Sequence, residues 1–309
     1  MTMQYDFPQT LQEAIVYFSN PDNAFNFMIQ LRWPNGVITC PRCESDRNTF
    51  ISTRNTWQCK ECKKTFTVKL GTIMEDSPIG LDKWLSAMWL ITSAKNGISS
   101  YEIHRALGIT QKSAWFLLHR IRLAMQTGTF DKLSGQVEAD ETFIGGKARF
   151  MHRNKREVKI TGTGGMGKVA VMGLLERHGE VRVKVVPDRL RTTLQKEVRE
   201  HVEQGAELFT DALPSYKGLD EYVHQVVDHA EKYVDGQIHT NGLENFWSLL
   251  KRCIKGTYIS VEPFHLFRYL DEQAFRFNNR KVTDQLRFLA LSRLIVGRRL
   301  TYEQLTGKV

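Results

Sequence analysis

A chain of 309 residues is long enough for two or three domains, and a hydrophobic share of 41% is ordinary for a folded protein with a substantial core. The 43 Lys and Arg against 34 Asp and Glu leave a formal charge of +9, which favours polyanionic partners through counterion release from nucleic acid phosphates. No uninterrupted apolar stretch approaches the roughly 18 to 20 residues a membrane helix needs, and the start MTMQYDFPQT lacks the basic and apolar regions of a signal peptide. A cytoplasmic protein with no membrane partner is therefore expected.

Residues 1–35 carry Phe18, Phe25, Phe27 and Leu31 at helical spacing and end at Trp33, Pro34 and Gly36, which predicts a helical lead-in stopped by a turn. Residues 36–72 place short strand-like runs, TFIST and KTFTVKL, around four of the five cysteines. Cys40-Pro-Arg-Cys43 and Cys59-Lys-Glu-Cys62 are two C-x2-C knuckles separated by the fifteen residues 44–58, a spacing typical of zinc sites. Two thiolates from each knuckle can converge on one tetrahedral Zn2+, whose binding supplies folding energy that so small a module lacks. Four thiolates leave no open coordination position, so this zinc is expected to be structural. Arg42, Arg47, Arg54, Lys60, Lys63 and Lys64 lie around it, as suits a module that docks on nucleic acid.

Residues 80–130 turn helical, with Trp84, Met88, Leu90 and Ile91 on one segment and Trp115, Leu118, Ile121 and Leu123 on another. Ser99 and Ser100 can cap a helix that Gly108 ends, and Thr110 can open the next after the short GIT turn. That layout predicts a helix-turn-helix whose second helix offers Gln111, Lys112, His119 and Arg122 to a DNA groove while Trp115, Leu118 and Ile121 pack inward.

Strand-like patterns follow in QVEADETFIGG, KVAVMGLLE and VRVKVVPD, then a helical TTLQKEVREHVEQG, the strand AELFTD, a connection and the strand HQVVDH. Three strands, a helix, a strand, a connection, a strand and a helix form the order of a ribonuclease H-like α/β core, expected over 135–280 with a C-terminal helical segment over 281–309. Residues 147–168 concentrate seven Lys or Arg against Glu157 alone, in a Gly-rich stretch read as an arm that grips phosphates through Lys147, Arg149, Arg153, Lys155 and Arg156. Within it, Gly162 to Lys168 matches most of a phosphate-binding P-loop. Val169 stands where Ser or Thr would be needed, however, and the lysine runs into a strand instead of a helix, so nucleotide hydrolysis is not expected.

Asp140 ends the alternating part of VEADETFIGG, Asp211 follows the strand AELFT, and Glu244 opens a helix in HTNGLENFWSLLKR, with Lys251 two turns later on a nearby face. Three acids from two strand ends and a helix can hold two magnesium ions about 3.5 to 4 Å apart, an arrangement that activates water or a 3′ hydroxyl for in-line attack on phosphorus. Glu138, Glu141 and Asp235 are competing acids nearby. His239 is either a substrate contact or a structural hydrogen-bonder, Phe246 and Trp247 are expected to face the core, and Lys251 and Arg252 are expected to contact the phosphate backbone.

The segments VEADETFIGG, FTDALPSYKGL, HTNGLENFWSLLKRCIKGTY and YLDEQAFRFNNR, in that order behind the paired cysteines, resemble those of bacterial insertion-sequence transposases of the DDE type related to the Merlin elements. The resemblance covers nearly the whole chain. It implies an acid triad on a ribonuclease H-like core that uses Mg2+ or Mn2+, with its first two members at Asp140 and Asp211. The last position in relatives is Asn or Glu, and both Asn241 and Glu244 are available one helical turn apart. Glu244 is preferred because a carboxylate binds a hard cation better than an amide, which leaves Asn241 as a helix cap or auxiliary ligand. DNA, as element ends and as target, a homodimer or higher oligomer assembled on it, and association with the nucleoid are the partners and place so implied. A regulator that binds DNA through the ribbon and helix-turn-helix without cutting it is the alternative, and it leaves the acid motifs idle.

Overall fold

The computed structural model describes residues 7–126, 131–146, 151–160, 167–227 and 239–307. The chain divides into two units, Met1–Met125 with Lys281–Val309, and Gln126–Arg280. No described helix is long and apolar enough to cross a membrane.

In the first unit, α1 (Leu11–Ser19) starts at Thr10, whose hydroxyl accepts the Glu13 N–H while the Glu13 carboxylate accepts the Thr10 N–H. This reciprocal cap satisfies two donors that a helix start leaves open. Asn20 caps α2 (Pro21–Arg32) by a single bond, its side-chain oxygen accepting the Asp22 N–H at 2.9 Å, with Pro21 at the first helical position. The ribbon is a three-stranded antiparallel sheet of β1 (Asn48–Ile51), β2 (Thr56–Cys59) and β3 (Thr65–Thr67). Its Trp57 stacks between Phe25 of α2 and Phe66 of β3. Then come α3 (Leu81–Ser93), α4 (Ser100–Leu107) and α5 (Gln111–Met125). Ser99 and Glu102 form the cap that opens α4, Gly108 ends it in the left-handed conformation at φ 60°, and the Thr110 hydroxyl accepts the Ser113 N–H at the start of α5. The C-terminal segment returns to this unit: Phe288, on the helix Asp284–Arg293, is fully buried among Phe7, Phe18, Phe27 and Trp89.

One expectation for α5 needs correction. Leu118 and Ile121 are buried as read, but so are His119 and Arg122, at 0% and 1% exposure, so neither faces solvent. Helical periodicity locates a face; it does not say how many neighbours pack on the helix, and α5 is buried through most of its circumference. Gln111 and Lys112 remain accessible at its start, where the Gln111 amide donates to the Ser100 hydroxyl and the Lys112 ammonium lies over the Tyr302 ring.

The second unit is built on a five-stranded sheet: β4 (Gln136–Ile144), β5 (Val169–Glu176), β6 (Val181–Val186), β7 (Glu207–Asp211) and β8 (Val223–Val227), ordered β6-β5-β4-β7-β8. The β6, β5 and β4 strands pair antiparallel, whereas β7 and β8 add to β4 in parallel. Alternation divides the side chains between two cores. Val137, Ala139, Met172 and Leu174 face α7 (Arg191–His201) with its Leu194 and Val198. Val171 and Leu175 face α8 (Asn241–Cys253) and α9 (Leu266–Asn278), among Leu243, Phe246, Trp247, Leu270 and Phe277.

Two sequence expectations differ here. Residues Arg153–Lys159, read as part of a Gly-rich arm, form a helix, α6; no Gly or Pro interrupts them, and Arg153 pairs with Glu157 one turn on at 2.9 Å. Arg153 and Arg156 are exposed on it, while Lys147, Arg149 and the side chain of Lys155 lie outside the described residues, as does Asp235. Asp140, read as a strand end, sits in the middle of β4, which continues to Ile144. Lys168 does run into β5, as its exclusion from a P-loop requires.

Candidate active site

The pairing of β4 with β7 sets Glu138 opposite Phe209; carried two residues further, the same register brings Asp140 beside Asp211, the last residue of β7. Adjacent strands lie about 4.8 Å apart, so two acids far apart in sequence become neighbours at the point where β7 ends and β4, still paired with β5, goes on toward Ile144. Glu244 joins them from the exposed side of the first turn of α8, close enough that its charge, with that of Asp211, acts on Asp140. The three carboxylates are not drawn as tightly together as the ribbon thiolates, whose sulfurs all lie within 4.8 Å of one another.

Asp140 is pushed up from its ordinary 3.8 to about 6, first by burial and then by the charges of Asp211 and Glu244, against the Trp247 and Glu141 N–H donors that hold it down. Glu141 points to the opposite face of β4, accepts the hydroxyl of fully buried Tyr216, and is raised to about 7 by burial and by Asp211 and Asp140, against that hydroxyl and Arg189. Clustered carboxylates that repel one another in a half-buried setting are a donor set suited to hard divalent cations. A carboxyl raised in the folded state holds a proton that the unfolded chain has released, so stability falls as pH rises from its unfolded to its folded value. In zinc-loaded protein without added Mg2+ or Mn2+, replacing Asp140 by Asn should flatten the loss of thermal stability between about pH 4 and 6 relative to wild type, measured as midpoint against pH.

Glu138 is not free to act as a ligand. It is 1% exposed, and its Oε2 accepts the Leu243 N–H at 3.0 Å while Oε1 accepts the Arg177 Nε–H at 3.1 Å. Arg177 also donates to the His239 carbonyl, and the His239 ring lies 3.4 Å from Glu138, which makes His239 part of this buried cluster. Glu138 therefore serves the start of α8 in the role proposed for Asn241, which is the exposed first residue of the helix; Thr240 precedes it with no side-chain cap. Arg177→Ala leaves the Glu138 charge buried without its main partner and should cost about 3–5 kcal/mol, read from chemical denaturation. Lys251 and Arg252 occupy the last turn of α8, with Arg252 exposed.

The second cluster is the ribbon. Cys40 Sγ lies 3.7 Å from Cys62 Sγ, and Cys43 Sγ 3.5 Å from Cys59 Sγ. Those separations fit the edges of a tetrahedron with Zn–S bonds of about 2.3 Å. Burial opposes ionisation of Cys59, yet N–H donors from Cys62 and Glu61 and the neighbouring thiols bring it down to about 7, toward the thiolate that a metal needs. Glu197, Glu200 and His201 also approach one another on α7, but the Lys184 ammonium already bonds Glu197 at 2.6 Å.

Tyr216, Arg177 and the polar role of Trp247 are absent from a reading of the sequence alone, which offers Glu141 only as a competing acid. The visible signal was adjacency: Glu141 follows Asp140, and Tyr216 closes the FTDALPSY run after Asp211.

A family model described as the ISXO2-like transposase domain matches residues 132–278, and a transposase zinc-ribbon domain matches residues 19–65. The chain is 27% identical over 255 residues to an uncharacterized protein in transposable element ISH50 of Halobacterium salinarum, covering 77% of this chain and 84% of that protein. It is 31% identical over 112 residues to an uncharacterized transposase-like protein of Haemophilus influenzae, covering 36% of this chain and 90% of that protein.

Proposed function

The chain belongs to the ISXO2-like transposases, and we propose that it binds the ends of an insertion sequence, cuts DNA there and joins the freed strand to a target. The observation that carries this reading is the neighbouring placement of Asp140 and Asp211 on parallel strands with Glu244 on the helix packed over them. The strand order, three antiparallel strands extended by two parallel ones, supports a ribonuclease H-like core.

Two divalent ions, Mg2+ or Mn2+, held by Asp140, Asp211 and Glu244 would supply an activated water or 3′ hydroxyl and neutralise charge on the phosphate under attack. The protein's own part is to hold the three carboxylates close together and to leave the β7-side edge of β4 open beyond Asp140 for the DNA strand. Glu244 is taken as the third ligand over Asn241 because both sit on the exposed first turn of α8 but only the carboxylate adds negative charge at Asp140. Lys251 and Arg252, in the last turn of the same helix, would contact the phosphate backbone.

The zinc ribbon and a helix-turn-helix formed by α4 and α5 would hold the element's end, with Gln111 and Lys112 as the accessible contacts of α5. Arg153 and Arg156 on α6, with Lys147, Arg149 and Lys155 around them in sequence, would add a phosphate grip, and the working assembly would be a dimer or larger on DNA. The test is incubation of purified protein with duplexes carrying the element's ends and Mg2+ or Mn2+: nicked and strand-transferred products support the reading, and binding without any cleavage in either metal points to the non-catalytic regulator.

A further inference from the structure

Both oxygens of the Asp140 carboxylate are held. Oδ1 accepts the Glu141 backbone N–H at 2.8 Å, and Oδ2 accepts the indole N–H of Trp247 at 2.9 Å. Each oxygen keeps a lone pair for a further partner, so the group is oriented without being consumed. The Trp247 ring is 4% exposed and lies over Gly173, the residue directly opposite Asp140 on β5. A Cβ at Gly173 would stand 2.7 and 2.8 Å from two atoms of that ring and 2.9 Å from Leu243 Cδ2. The one position of β5 without a side chain is thus where the indole must rest to reach Asp140.

Trp247 also stands one turn after Glu244 on α8. Its hydrogen bond ties the helix that carries Glu244 to the strand that carries Asp140. A second tie, Glu138 to the Leu243 N–H, lies one turn earlier on the same helix face. A buried indole N–H needs an acceptor, and the one it meets here is Oδ2 of the Asp140 carboxylate.

We propose that Trp247 is a positioning residue of the metal centre: its indole N–H fixes the orientation in which the Asp140 carboxylate meets a divalent ion, and Gly173 is the seat that permits it. This rests on Asp140 being a metal ligand. Donors that orient a ligand in this way typically account for about 10–100-fold in metal affinity.

The experiment is a calorimetric Mn2+ titration of the full-length zinc-loaded chain, alongside thermal denaturation, for wild type, Trp247→Phe, Gly173→Ala, Asp140→Asn and the double variant Trp247→Phe with Asp140→Asn. Trp247→Phe keeps most of the ring and loses the N–H; it is expected to unfold cooperatively and to bind Mn2+ about 10–100-fold more weakly. Gly173→Ala should weaken binding in the same direction by displacing the ring. In the Asp140→Asn background, Trp247→Phe should change nothing further, because its effect acts through that carboxylate. Wild-type affinity in a folded Trp247→Phe, with binding weakened in Asp140→Asn, would overturn the role of Trp247 and leave the metal centre standing. Absence of any Asp140-dependent Mn2+ binding in wild type would overturn the metal centre itself, and the inference with it.

Discussion

Asp140→Asn and Asp211→Asn should each lower metal-dependent strand cleavage on the order of a thousand-fold while leaving binding of the element's ends intact. Each substitution keeps the shape of the side chain and removes a charge, so the sheet should persist; neither residue is fully buried. The loss falls on the chemistry, because stabilisation by a metal ion is worth several kcal/mol in the transition state and each 1.36 kcal/mol is tenfold in rate. Glu244→Gln should follow them if Glu244 is the third ligand. Asn241→Ala should then be mild, since this exposed residue does not cap α8. The reverse pattern, a severe Asn241→Ala with an active Glu244→Gln, would move the third ligand by one helical turn. Single-turnover cleavage with Mg2+ and with Mn2+, beside a gel-shift measurement of end binding, separates these outcomes. Full activity in Asp140→Asn would remove the proposed centre.

The second large effect concerns zinc. Stripping the metal with a chelator, or replacing Cys40 or Cys59 by Ser, should unfold the ribbon outright. Both thiols are buried, and zinc binding in such modules is worth about 10–16 kcal/mol, more than a sheet of eleven residues in three strands can replace. Trp57 is the natural reporter, buried at 3% exposure between Phe25 and Phe66. Chelation should shift tryptophan emission to the red and lower zinc content by one equivalent per chain, and binding to element ends should fall with it. A chelated protein with unchanged emission and unchanged circular dichroism would show that the thiols pack without needing metal.

How far the sequence alone reaches varies from element to element. The zinc ligands are legible because their geometry is local: two C-x2-C turns specify four sulfurs before any distant contact forms. The caps at Ser99 and Thr110 and the left-handed stop at Gly108 are legible for the same reason. The alternation in QVEADETFI predicts that Glu138 and Asp140 share one face of a strand and Glu141 takes the other, but not which face receives α8. That choice separates a buried anchor from a candidate ligand.

What only the tertiary structure decides follows from pairing and packing between distant segments. The β4–β7 register makes neighbours of Asp140 and Asp211, and Gly173 makes room for an indole that the sequence marks merely as apolar. His119 and Arg122 show the converse: polar residues at exposed-looking helical positions are buried because other segments cover them. The return of Phe288 to the N-terminal helices is likewise invisible to periodicity. The chain by itself determined most of its elements, the helix Arg153–Lys159 excepted, and marked its zinc site and candidate acids, since spacing, caps and turns act over a few residues. The arrangement of those acids was left to the sheet register and the glycine seat, because contacts between residues far apart in sequence exist only once the sheet and its covering helices have formed together.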